Sequence, residues 1–277
     1  MMRLWVGTAG YAYPAWVGDF YPAGTPPADQ LAYYAGHFPA VEVNSSFYRP
    51  PTPAQVRRMA ARVPAGFGFT LKLPRSASHG YEPGDLPAFR HAAEALAEGG
   101  HLLGLVVQFP ETFRNLPSDR DWLVKVRQAV AGFPLAVEFR HRSWDVPALP
   151  AWAARHALTV AGVGVPDLPQ LFPDGPRHAG RLLYARLHGR AAEAWYAGGA
   201  ARYDYDYPPA ELGRWAAGLR QAAADGVERG LVFFNNCVGV QAVENARRLT
   251  ALLSGAPGVE VVRPPAPPRR GLFDDFA

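Results

Sequence analysis

The chain has 277 residues and a mass of 30.1 kDa, 49% hydrophobic and 19% charged, which suits one large core or two modest ones and excludes wholesale disorder. No run approaches the roughly 18 apolar residues of a membrane span, and no signal-type apolar segment precedes the first strand-like stretch. A single cysteine, Cys237, excludes a disulfide framework and a multi-cysteine zinc site, so a cytoplasmic protein without a membrane partner is expected.

Strand and helix patterns alternate along the chain. Leu4–Thr8 reads as a strand, followed by a helix over Asp29–His37, a strand over Ala40–Ser45 and a helix over Pro53–Val63. Next come a strand at Gly68–Leu73, a helix at Leu86–Glu98, a strand at Leu103–Phe109 and a helix at Arg120–Ala131. A strand at Leu135–Arg140, a helix at Val146–His156 and strands at Leu158–Val163 and Leu182–His188 follow. The series ends with a helix at Pro209–Asp225, a strand at Gly230–Asn236 and a helix at Val240–Leu253. Thr52-Pro53 and Ser118-Asp119 supply helix starts, and Gly99-Gly100, Gly132 and Gly226 supply stops. Eight strands with crossover helices fit a parallel α/β fold, best a single (β/α)8 TIM-type barrel over residues 1–256. A doubly wound sheet is the alternative; no Gly-x-Gly-x-x-Gly follows the first strand. Residues 257–277 form a Pro-rich tail, expected to be extended or partly disordered.

Barrel strands point alternate residues inward, and barrel active sites lie at the C-terminal ends of the strands. With that period Glu42 pairs with Asn44, Thr70 with Lys72, Val106 with Gln108, and Glu138 with Arg140; Tyr184, Arg186 and His188 share one further face, and the last strand ends in Asn235-Asn236. Buried charges need partners or a ligand, so this convergence marks a candidate site, although individual pairs such as Glu42–Lys72 or Glu138–Arg186 also read as barrel-filling ion pairs. The net charge of +4 says little about partners, but its make-up is informative: of 28 basic residues 26 are Arg, and only Lys72 and Lys125 are Lys. Lysine, unlike arginine, can lose its proton when desolvated. Lys72 falls on an inward face, and Lys125 on an amphipathic helix.

Glu42, Lys72, Glu138 and His188 are the candidate catalytic groups. Tyr11, Asn44, Tyr48, His79, Gln108, Arg140, Arg186 and Asn236 are the candidate substrate contacts. Tyr11, Tyr13, Trp16, Phe47, Tyr48, Trp144, Trp195 and Tyr196 follow strands and suit either stacking on a sugar or base, or loop packing. Glu42, His79, Glu138, His141 and His188 are ligand types for zinc or manganese, but no metal-binding spacing occurs and Lys72, Arg140 and Arg186 would repel a cation. No cofactor is therefore assigned, and an anionic substrate group is preferred, with a divalent metal as the lesser alternative.

These segments together resemble the domain of unknown function 72 family, the YecE-like proteins. The resemblance rests on Gly7–Tyr11, Trp16 with Gly18 and Phe20–Pro22, Val41–Tyr48, Lys72 with Ser78-His79, and Gln108–Pro110. Val137–His141 with Ser143-Trp144, Arg186–Gly189 and the region from Asn235 to Leu249 complete it. It implies a (β/α)8 barrel, a fold likened to endonuclease IV and the sugar isomerases, and no established reaction. A His commonly follows the Asn pair in the family; Cys237 stands there here.

The expected function is acid/base chemistry on an anionic, phosphorylated, sugar-containing small molecule or a nucleic acid. Alternatives are a non-catalytic nucleic-acid-binding protein with a basic, aromatic rim, and a sugar-phosphate isomerase or epimerase. In the tail, Leu272-Phe273 resembles the core of sliding-clamp-binding peptides without their leading Gln; folding back onto the barrel is the preferred reading.

Overall fold

In the computed structural model, residues 1–197 and 199–265 are described. The strands are β1 (Met2–Ala9), β2 (Ala40–Val43), β3 (Gly68–Lys72), β4 (Leu102–Gln108) and β5 (Leu135–Glu138), then β6 (Leu158–Val160), β7 (Gly162–Gly164), β8 (Leu182–Leu187), β9 (Arg229–Phe234) and β10 (Val259–Val261). Among the described residues, seven helices connect them: α1 (Gln30–Ala35), α2 (Pro53–Ala60), α3 (Leu86–Glu98), α4 (Pro117–Ala129), α5 (Leu149–Arg155), α6 (Pro209–Ala224) and α7 (Gln241–Leu253). The strand order β6-β5-β4-β3-β2-β1-β9-β8-β7 is parallel throughout. Because β6 and β7 are consecutive in the chain, this order describes a nearly closed TIM-type barrel.

The expected sixth strand is split. β6 pairs with β5 and β7 with β8, and the chain steps across at Ala161, whose N–H still donates to Val137 O at 2.9 Å. The connection from β7 to β8 contains no helix among the described residues. Instead it folds back over the end of β5, where Phe172 N donates to Arg140 O at 2.8 Å and Arg142 N to Gln170 O at 2.8 Å. That loop fixes the backbone on both sides of His141.

The helices begin as their chemistry dictates. Thr52 and Gln55 form a reciprocal capping box ahead of Pro53, and α3, α4 and α6 also carry Pro in the first turn. Asp119 departs from expectation: α4 starts after Leu116, and the Asp119 carboxylate accepts from Arg114 N at 2.7 Å and Tyr81 OH at 3.0 Å.

Strand alternation divides the core. Outward residues such as Val41, Val43, Leu71, Val107, Val137 and Phe139 pack with the helices. Inside the barrel, Trp5, Val106, Ala136, Tyr184, Leu231 and Phe233 make a separate apolar plug. The polar side chains of β2, β3, β5 and β8 stand above it, toward the C-terminal ends.

A short strand, β10, follows residue 256 and pairs with β1 off the barrel's strand order. β10 pairs with Met2, Arg3 and Leu4 of β1, bracketed by Met2 N to Gly258 O and Val262 N to Leu4 O, both 2.8 Å. The cause is stagger: β2 pairs only with Thr8 and Ala9, leaving the first half of β1 with a free edge that β10 fills. Leu272 and Phe273 lie outside the described residues.

Candidate functional site

Arg186 is the hub of a buried charge network. Its Nε approaches Glu42 Oε1 and Oε2 at 3.1 and 2.9 Å, and its Nη2 donates to Glu42 Oε1 at 2.7 Å. Its Nη1 donates to Glu138 Oε2 at 2.5 Å. One guanidinium thus spans two carboxylates on different strands, as its planar fork permits. Burial disfavours the cation, but Glu42 and Glu138 outweigh it and hold the Arg186 pKa well above the ordinary value.

The second oxygen of Glu42 is hydrogen-bonded, whereas that of Glu138 has ion-pair contacts but no hydrogen bond among the described residues. Glu42 Oε2 accepts from Tyr184 OH at 2.6 Å, and that hydroxyl meets Thr70 Oγ1 at 3.1 Å. Glu138 Oε1 lies 2.7 Å from Arg140 Nη2 and 3.1 Å from His188 Nε2. Burial would raise the Glu138 pKa, but Arg140, His188 and Arg186 prevail and keep it well below the usual carboxylate range. Glu42 and Glu138 are both fully buried.

His188 is held at both ring nitrogens. Asn235 Nδ2 stands 2.9 Å from Nδ1, and Nε2 lies 3.3 Å from Arg140 Nη2 and 3.1 Å from Glu138 Oε1. Burial, opposed by Glu138 and reinforced by Arg140, lowers the His188 pKa to about 3, so the ring is neutral. The next residue needs to be Gly: Gly189 has φ +104°, and a Cβ there would come 2.8 Å from Tyr205 Cβ. Its N–H donates to Tyr207 OH at 2.9 Å, tying the strand end to the following loop.

Among the described residues, Lys72 lies at the edge of this network without a counter-ion. Its Nζ donates to the neutral Gln108 Oε1 at 2.8 Å and sits 4.2 Å from the Phe47 ring centroid. Among the described residues, no carboxylate lies within 4.0 Å of it. Burial first, then the Arg186 and Arg140 charges, lower its pKa to about 7 against the opposing pull of Glu138 and Glu42. The Phe47 face favours the ammonium form. Lys72 and Arg140 are each 8% exposed, whereas Glu42, Glu138 and His188 are at 0%, so the cations are the charged groups that reach the mouth.

Around the mouth, the Arg140 guanidinium stands 5.3 Å from the Trp195 ring centroid. His79 meets Ser78 Oγ at 2.8 Å through Nδ1 and packs edge-on against Phe47. Burial and the Lys72, Arg75 and Arg140 charges lower its pKa to about 4. Asn44 Nδ2 donates to Ala9 O at 3.3 Å, while its buried Oδ1 has no partner among the described residues.

Comparison with known proteins fits this architecture. The family profile described as "Protein of unknown function DUF72" matches residues 5–270. The chain belongs to the DUF72 family. A solved DUF72 family protein of Thermotoga maritima is 34% identical, with a TM-score of 0.83 over 92% of this chain and 100% of that one. A DUF72 family protein of Enterococcus faecalis is 26% identical, with a TM-score of 0.77 over 92% and 96%. The UPF0759 protein YunF of Bacillus subtilis is 26% identical, covering 90% of this chain and 94% of its own.

The DUF72 barrel brings together Glu42, Lys72, Gln108, Glu138, Arg140, Arg186 and His188, all named from sequence. Asn236 is different. It is fully buried, and its Nδ2 donates to Tyr205 O at 2.7 Å and Asn245 Oδ1 at 2.8 Å, which pins the loop after the short 3-10 turn Ala201–Tyr203 to α7. Asn235 takes the inward position and was missed. Tyr48 is 82% exposed and touches Phe47 from outside. Tyr11 lines a side cavity of about 260 Å³ with Leu31, Gln55, Arg58, Met59 and Arg62. Trp16 and Trp144 are core residues rather than mouth residues.

Cys237 is turned toward the backbone, with Sγ 3.7 Å from Ala9 O and from Phe234 O. Burial pushes its thiol up to about 12. His141 Nδ1 accepts from Ser143 N at 3.0 Å and caps a short turn. Among the described residues, no group of three or more His, Cys, Asp or Glu is placed to hold a metal ion.

Proposed function

We propose that this DUF72 protein is an enzyme that acts by proton transfer on a phosphorylated, sugar-containing substrate, free or within a nucleic acid. Lys72 Nζ is the proton-transfer group, and Arg140 contacts the phosphate. The observation that carries this reading is that, among the described residues, Lys72 has no counter-ion inside a network where Glu42 and Glu138 are already paired with arginines. A protonated Lys72 gives the mouth one positive charge in excess of these pairs, which favours an anion. The neutral and charged amine are close in free energy near pH 7, as proton transfer requires. Glu42, Glu138 and Arg186 serve as fixed electrostatic support, and neutral His188 packs between Glu138 and Arg140.

The test is calorimetric titration with sulfate, which does not itself titrate near neutral pH, and with ribose 5-phosphate, each in two buffers of different ionisation enthalpy. Anion binding beside Lys72 raises its proton affinity. About half a proton per site should be taken up at pH 7, approaching one at pH 8.5 and vanishing at pH 5.5. Lys72→Met should abolish the uptake, and Lys72→Met and Arg140→Gln should each weaken binding by about tenfold or more, equivalent to about 1.4 kcal/mol. Saturable binding that neither variant alters refutes the assignment. Binding confined to single-stranded oligonucleotides, unaffected by Lys72→Met and steeply salt-dependent, would instead indicate a nucleic-acid-binding module.

A further inference from the structure

We propose that Lys72 forms a covalent imine with an aldehyde or ketone substrate that carries an anionic group. This deepens the preceding reading, because it rests on the mouth holding an anion.

Three observations converge. The first is chemical composition: for its cations this chain uses arginine almost throughout, 26 times against two lysines. Arginine could supply a charge at position 72, but only lysine supplies a primary amine able to condense with a carbonyl. The other lysine, Lys125, is exposed on α4.

The second is placement. Lys72 ends β3 on the inward face, at the end of the barrel where substrates bind, and its Nζ faces an amide oxygen and an aromatic ring. Gln108 Oε1 accepts one N–H, leaving the nitrogen lone pair free in the neutral amine. A carboxylate partner would hold the group as an inert ammonium, and both nearby glutamates are held by Arg186, Arg140 and Tyr184 instead. Burial and the adjacent guanidinium groups add to this by favouring the neutral amine.

The third is selectivity. Arg140 is the other charged group of the network that reaches solvent, so it can seat an anionic substituent near the same amine. The chemistry balances without a redox partner. The amine lone pair adds to the carbonyl carbon as the C=O π bond opens. The oxygen gains a proton while nitrogen loses one, through water. The carbinolamine then expels this oxygen as water as nitrogen loses its second proton and the C=N bond forms.

With two lysines in the chain, the site of reaction can be read directly. The full chain is incubated at pH 7 with dihydroxyacetone phosphate and sodium cyanoborohydride, and labelled peptides are quantified by mass spectrometry. Reduced adduct should accumulate on Lys72 about tenfold or more ahead of Lys125 and the N-terminal amine. Uncharged dihydroxyacetone should label Lys72 less, and sulfate should protect it. Lys72→Arg keeps the cation and should lose only the adduct at position 72. Equal or faster labelling of Lys125 overturns the inference. Absence of the Lys72 adduct while sulfate binding still depends on Lys72 also overturns it, and leaves the proton-transfer reading intact. A Lys72 adduct that sulfate does not slow, in a protein that binds no sulfate, supports the imine and removes the anion reading.

Discussion

Replacing Lys72 with Met should stabilise the fold at neutral pH. In the unfolded chain the lysine titrates near 10.5, whereas in the barrel burial and the Arg186 and Arg140 charges bring it to about 7. The folded state therefore binds fewer protons than the unfolded state between these values, and stability must rise with pH through that window. Each tenfold difference in proton affinity is worth about 1.4 kcal/mol, so the full penalty, reached below pH 7, is roughly 5 kcal/mol. At pH 7 it is about 4 kcal/mol, and at pH 9.5 about 1.4 kcal/mol. Met loses the hydrogen bond to Gln108 and the ammonium contact with Phe47, each worth about 1 kcal/mol, so a net gain of about 2 kcal/mol is expected at pH 7. The informative quantity is the difference between the two pH values, in which constant packing effects cancel. In urea unfolding, the advantage of Lys72→Met over wild type should shrink by about 2–3 kcal/mol from pH 7 to pH 9.5. A difference that stays constant across this range would show that Lys72 is an ordinary, fully charged lysine, and would refute the electrostatic reading of the mouth.

Arg186→Met should have the opposite effect. It leaves Glu42 and Glu138 buried without their shared cation and should destabilise the protein by about 3–5 kcal/mol in urea, with part of the loss recovered by adding Glu42→Gln. A loss below about 1 kcal/mol would mean that water reaches the network. Arg140→Gln removes a cation near Lys72 and frees Glu138 Oε1 from its ion pair. With ¹³C-labelled lysine the protein has two side-chain signals, and the Lys72 midpoint should move up from about 7 by about one pH unit or more; no movement, or a fall, contradicts the counter-ion logic. Cys237 should resist thiol reagents at pH 8 in the folded protein and react on unfolding, because burial raises its pKa to about 12. Rapid native-state labelling would place that thiol at the mouth.

Several parts of this site can be read from sequence because β2, β3, β5 and β8 alternate polar and apolar residues. In Val41-Glu42-Val43 and Tyr184-Ala185-Arg186-Leu187-His188 the polar partners can face only one way, and the structure places them inward. The last strand offers no such signal. Gly230-Leu231-Val232-Phe233-Phe234 is apolar on both faces, as expected of a strand covered inside and out. Its parity is fixed only by pairing: Phe233 aligns with Arg186, so Leu231, Phe233 and Asn235 share the inward set, and Asn236 falls on the other face. A one-residue ambiguity thus exchanged a loop anchor for a site residue. The break at Ala161 and the docking of β10 depend on barrel closure and stagger, which involve strands distant in sequence. Composition, by contrast, singles out Lys72 as one of two lysines, and the structure buries it at the end of β3.

The network also explains why a barrel would keep this many charges inside. Trp5, Leu231 and Phe233 show that the same interior can be filled by apolar side chains lower down. Substituting a buried ion network with such residues is often neutral or stabilising, so packing alone does not require Arg186 and two glutamates. Their arrangement has a specific consequence. Arg186 and Tyr184 occupy Glu42, while Arg186, Arg140 and neutral His188 occupy Glu138. Both anions are present and close enough to influence Lys72, yet neither is free to bind it. Two carboxylates without their arginines would hold Lys72 as an ammonium ion, and arginines without carboxylates would be too costly to bury. The combination leaves a lysine with balanced proton affinity at the end of β3, with no counter-ion supplied by the described residues.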